Sequence, residues 1–94
     1  MSGNAERLRA VARGRVQGVG FRDFVLQRAR QAGLTGWVRN LADGGLECVA
    51  EGPRPALERL LSELQSGPPM ARVEQVESVY WPAQGDLRGF EARF

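Results

Sequence analysis

The stretch Gly14-Arg15-Val16-Gln17-Gly18-Val19-Gly20-Phe21-Arg22 joins a strand pattern to a helix pattern, and the rest of the chain is read outward from it. Upstream, Leu8, Ala10 and Ala12 alternate with Arg7, Arg9 and Arg13, which predicts a first strand over residues 6–13. Downstream, Phe21, Phe24, Val25, Ala29 and Ala32 fall at helical spacing, and Gly33 stands where a helix commonly stops. A turn of small residues at such a junction leaves successive backbone N–H groups unpaired beside the positive end of a helix dipole. That combination is a cradle for an anion, with a phosphoryl group as its usual occupant. Arg22, in the first turn, can reach back with a planar fork that suits two phosphate oxygens. By spacing alone the same residues also suit a plain tight turn. No Gly-Lys-Ser/Thr follows, and Asp23 stands where a dinucleotide fingerprint would need its third glycine.

The remaining pattern is equally regular. Thr35-Gly36-Trp37-Val38-Arg39-Asn40-Leu41 reads as a second strand, and Ala42-Asp43-Gly44-Gly45 as a hairpin turn. Leu46, Cys48 and Ala50 alternate with Glu47, Val49 and Glu51 on the returning strand. Gly52-Pro53-Arg54-Pro55 breaks the chain. Leu57, Leu60, Leu61 and Leu64 then form one apolar stripe of a second helix, ending near Ser66-Gly67-Pro68-Pro69. Val73 to Trp81 is a fourth strand, and Phe90 to Phe94 a short fifth. The order βαββαβ predicts a ferredoxin-like α+β sandwich, an antiparallel sheet with two helices on one face. The length suits a single domain over residues 1–94, with residues 1–5 expected to be disordered.

Composition removes several chemistries. The chain has no histidine, and its 13 cations are all arginine. Histidine general-base catalysis, the usual His/Cys zinc sites, Schiff-base chemistry and the P-loop lysine are therefore unavailable. No cofactor and no metal are expected. One cysteine cannot form an internal disulfide, and no apolar run is long enough to cross a bilayer. A cytoplasmic monomer without membrane or nucleic-acid partners is expected. The net charge of +2 is small, but residues 1–40 carry eight arginines against Glu6 and Asp23, a local field that favours a small anion.

The whole string Gly14–Arg22 resembles the signature of the acylphosphatases. A second signature of that family is a Gly-Trp-Val-Arg/Lys-Asn segment after the first helix. Here it stands as Gly36-Trp37-Val38-Arg39-Asn40, followed by Asp43-Gly44. The resemblance extends over residues 6–94, including Gly89-Phe90-Glu91. It implies metal-independent hydrolysis of the carboxyl–phosphate bond of small acyl phosphates, with inorganic phosphate as product or inhibitor. It further implies that Arg15, Val16, Gln17, Gly18 and Val19 form the phosphate cradle with Arg22, that Arg22 is catalytic, and that Asn40 positions the attacking water. The sequence does not depart from the pattern at these positions.

Elementary chemistry agrees with that implication. An acyl phosphate expels a carboxylate, which needs little protonation on leaving. Phosphoryl transfer is largely positioning and charge stabilisation, tasks within reach of backbone N–H groups and one guanidinium. An amide can orient a water without being a strong base. Bland readings stand beside these: Arg22 as a solvated helix arginine, Asn40 as a turn former. Arg39 is expected on the sheet face opposite Asn40 as a surface charge. Arg7, Arg9, Arg13 and Arg15 are expected to be solvated, Trp37, Phe21 and Phe24 to lie in the core, Cys48 to be a buried apolar residue, and Asp23 to compensate the helix N-terminus. Two other functions share the element order. One is a non-catalytic anion-binding or regulatory module, which would need no water-positioning amide. The other is an RNA-binding module, which Leu46-Glu47-Cys48-Val49-Ala50-Glu51 disfavours because it offers acidic residues and no aromatics for bases to stack on.

Overall fold

A computed structural model describes residues 5–94. The elements run β1 (Ala5–Arg15), α1 (Phe21–Gln31), β2 (Thr35–Asn40), β3 (Leu46–Pro53), α2 (Arg54–Ser66), β4 (Arg72–Pro82) and β5 (Phe90–Arg93). The strands form one sheet in the order β4-β1-β3-β2-β5. Each neighbouring pair among the first four is antiparallel. β5 departs from the all-antiparallel expectation: it joins the free edge of β2 in parallel, Gly36 opposite Phe90 and Val38 opposite Ala92. The segment after β4 thus takes the chain from one edge of the sheet to the other. Ala5 opens β1, so the expected disorder does not include it; residues 1–4 lie outside the described part.

Alternation decides which face is buried. Leu8, Ala10 and Ala12 of β1, Val38 of β2, and Leu46, Cys48 and Ala50 of β3 share a core with Phe21, Val25 and Ala29 of α1 and Leu57, Leu60 and Leu64 of α2. Full burial of each of the larger side chains contributes about 1.5–3 kcal/mol. Burial pushes the Cys48 thiol up to about 12, with the Glu47 charge adding to the effect, so Cys48 behaves as an apolar residue. The Gly52–Pro55 break contains no separate loop. β3 runs to Pro53 and α2 begins at Arg54, with Pro55 in the first turn, where a missing N–H would have no helical partner anyway. Gly36 is required by close approach: its φ is 149°, and a Cβ there would collide with the Val49 carbonyl.

The opposite sheet face corrects two expectations. Trp37 is not in the core. It shares the open face with Arg39, and lies half-buried with the guanidinium carbons of Arg39 and Arg93 at 5.2 and 4.7 Å from its ring. Period-two geometry requires this, because Val38 already points inward. Nor are the β1 arginines simply solvated. Arg9 and Arg39 each donate to the buried Glu47 carboxylate at 2.7 Å. Arg7 donates to Glu51 at 2.6 Å and also binds Asp86, while Arg13 donates to Asp43 at 2.9 Å. Glu51 additionally accepts the backbone N–H groups of Gln84 and Gly85. Arg9 stays exposed while bound to Glu47, and Arg15 is exposed at the strand end, as expected.

These contacts give the fold an acid limit. Burial pushes the Glu47 carboxyl up, and the bonds from Arg39 and Arg9 outweigh it, leaving the carboxyl below its ordinary value of 4.5. Glu51 is also lowered: burial opposes, and the Gln84 N–H and the Arg7 guanidinium prevail. A carboxylate lowered on folding stabilises the native state above its unfolded value, and that contribution disappears as pH falls through the folded value. Thermal stability is therefore expected to hold from neutrality to about pH 5 and to fall below 4.5. Glu47→Gln should lower stability at pH 7 and flatten the acid fall. An acid limb in Glu47→Gln and Glu51→Gln as steep as in the parent would remove these two groups as its cause.

Candidate active site

The junction between β1 and α1 is held open by glycine. Gly18 and Gly20 have φ of 72° and 76°, a left-handed geometry that other residues adopt at a cost. Gly20 caps α1 in that conformation, and the first helical bond runs from Phe24 N to Gly20 O at 3.1 Å. The N–H groups of Phe21, Arg22 and Asp23 thus have no partner within the helix. They sit at the positive end of its dipole. The buried Phe21 ring anchors this end of the helix, packing edge-on to the half-buried Phe24 at a centroid separation of 5.8 Å.

A cavity of about 220 Å³ opens at this point. It is lined by Val16, Gly18, Gly20, Phe21, Arg22, Asp23, Asn40, Ala92 and Phe94. Two separated segments of sequence therefore meet: the glycine loop with its helix start, and the end of β2. Asn40 reaches the cavity because it has the same parity as Gly36 and Val38, which face the helices, and because the strand stops there before the turn. Arg39 falls on the other face, as alternation requires. The turn itself is stiff: Leu41 N donates to Gly45 O at 2.8 Å, and the Asp43 carboxylate accepts the Gly45 N–H at 3.0 Å.

Of the residues singled out in the sequence, Val16, Gly18, Arg22 and Asn40 line the cavity. Arg15, Gln17 and Val19 do not. Arg15 is exposed beside Arg72 at the β1–β4 margin, and Val19 packs its side chain against the core. The Gln17 side chain turns away to the β2–β3 turn. Any part these three take in holding an anion falls to their backbone. Asp23 lies in the first turn of α1, as expected, but also on the cavity wall. Ala92 and Phe94 were not anticipated. The Phe94 ring lies against Arg22, with 4.0 Å from the guanidinium carbon to the ring centre, and is itself largely exposed. The signal for them was weak, since only the parallel pairing of β5 with β2 brings the end of the chain to the loop.

A family model described as Acylphosphatase matches residues 8–92, a span that includes the glycine loop, Arg22 and Asn40. The chain belongs to the acylphosphatase family. An acylphosphatase of Thermus thermophilus is 52% identical over 84 residues, 89% of this chain and 94% of the relative. One of Rubrobacter xylanophilus is 51% identical over 88 residues, 94% of this chain and 80% of the relative. The solved structure of an acylphosphatase from Bacillus subtilis superposes with a TM-score of 0.91 at 35% identity, covering 95% of this chain and 99% of that one. The acylphosphatase family assignment and the two-helix, five-strand architecture inferred from the sequence thus hold together.

Proposed function

We propose that this family member hydrolyses small acyl phosphates to a carboxylate and inorganic phosphate, and that the cavity between the glycine loop and the end of β2 is where it does so. The reading is carried by one observation: Arg22, the loop glycines and Asn40, distant in sequence, line the same small cavity. In this reading the phosphoryl oxygens accept from loop and helix N–H groups and from the Arg22 fork. Asn40 holds a water on the side away from the acyl oxygen. The water oxygen bonds to phosphorus as the bond from phosphorus to the acyl oxygen breaks. The electron pair leaves on the carboxylate, and the proton lost by the water goes to the phosphate product or to solvent. Fixed donors aimed at the equatorial oxygens stabilise the charge there, and no reorganisation is needed at the moment of reaction.

The proposed mechanism is run by protein groups alone. Among the described residues no three His, Cys, Asp or Glu side chains converge as metal ligands. Turnover of an aryl acyl phosphate is expected to be unchanged by excess chelator and by added magnesium. Loss of turnover in chelator with recovery in magnesium would contradict the proposed electrostatics. We further propose a single-domain monomer acting in the cytoplasm. Among the described residues, no helix is long and apolar enough to cross a membrane.

A further inference from the structure

Gln17 sits in the middle of the glycine loop, yet its side chain faces away from the cavity. Its Nε2 lies 2.8 Å from Leu41 O and 2.9 Å from Gly45 O. Both partners are carbonyl oxygens, so only the NH₂ group of the amide can serve them, and its orientation is fixed by chemistry. One side-chain nitrogen thus ties the anion loop to the two ends of the β2–β3 turn. Leu41 directly follows Asn40, and Gly45 O is the same oxygen that accepts Leu41 N to close the turn. Among the described residues, no other side-chain hydrogen bond joins the loop from Val16 to Gly20 to this turn.

We infer that Gln17 is a positioning residue: its amide sets the spacing between the phosphate cradle and Asn40, and so the line along which the water meets phosphorus. This rests on the functional reading above. The Gln17 side chain acts through Asn40 and does not touch the substrate. In-line attack is sensitive to such spacing, since a displacement of about 1 Å can cost on the order of 10²-fold in rate. Ground-state binding of phosphate depends on the loop N–H groups and Arg22, and tolerates a change in distance to Asn40.

The test compares Gln17→Met and Gln17→Glu with the parent, by kcat on an aryl acyl phosphate and by competitive inhibition with inorganic phosphate. Methionine keeps the length and removes both donors. Its kcat should fall roughly tenfold to a hundredfold, with phosphate affinity within about threefold of the parent. Glutamate presents an anion to two carbonyl oxygens at neutral pH, but its protonated form regains one donor. Its activity relative to the parent at the same pH should therefore be lowest at neutrality and rise as pH falls. A kcat for Gln17→Met within twofold of the parent overturns the inference. So does a phosphate affinity that falls in step with kcat, which would make Gln17 a support of the cradle alone, or a Gln17→Glu ratio that ignores pH. A parent that binds phosphate without turnover defeats the functional reading and the inference with it, and is seen before any variant is made.

Discussion

Replacing Arg22 by lysine should lower kcat/KM by about 10²–10³ although the charge is kept. Arg22 lines the cavity from the first turn of α1, with its guanidinium against the Phe94 ring. Lysine offers a point charge on a flexible stem. It cannot span two phosphoryl oxygens at fixed spacing, and it has no planar face to lie on the ring. Because the proposed grip of the fork extends to the ground state, inhibition by inorganic phosphate should weaken alongside turnover. A solvated helix arginine would behave differently: Arg22→Lys would keep activity, phosphate affinity and thermal stability. The measurement is steady-state kinetics with phosphate as competitor, on a variant checked for its unfolding temperature. Near-parental activity and affinity in a folded variant would take Arg22 out of the site.

Local signals carried most of the fold. Alternation in β1 and β3, the leucine stripe of α2 and the glycines bounding α1 are short-range features, and each element stands where its residues place it. The errors came from contacts distant in sequence or from a residue type outweighing its position. Trp37 was expected in the core because it is large and apolar, yet it alternates with Val38 and Asn40 and lies on the open face between two arginines. The arginines of β1 look solvated as a list of charges. Only the pairing of β1 with β3 brings Glu47 and Glu51 beside them. The parallel seat of β5 depends on a crossover between sheet edges, which has no local signature, and Ala92 and Phe94 reach the cavity only through it.

The candidate site divides along the same line. The loop and Arg22 are contiguous and could be read as an anion cradle from chain chemistry alone. Asn40 lies 18 residues beyond Arg22, and its place was implied by the family's second signature; the β2 register then provides the physical reason it faces the cavity. The Gln17 side chain was legible only as part of a loop, because its partners are backbone carbonyls of a distant turn.

Asn40→Ala tests the division of labour on which the account depends. In the proposed division, Arg22 and the loop N–H groups hold the phosphoryl group, and Asn40 holds the attacking water. An interaction made with the water belongs to the reacting complex more than to the bound ground state, so its loss should appear in kcat and spare phosphate binding. The expected kcat is lower by about 10²–10³, comparable to the removal of one preorganised hydrogen-bonding group. If Asn40 were only a turn residue, the substitution would lower thermal stability and leave the folded fraction fully active. The decisive measurement is kcat and the competitive inhibition constant of inorganic phosphate, on one preparation of Asn40→Ala and the parent. A large fall in kcat with phosphate affinity nearly unchanged is the predicted result; turnover equal to the parent's would contradict the account.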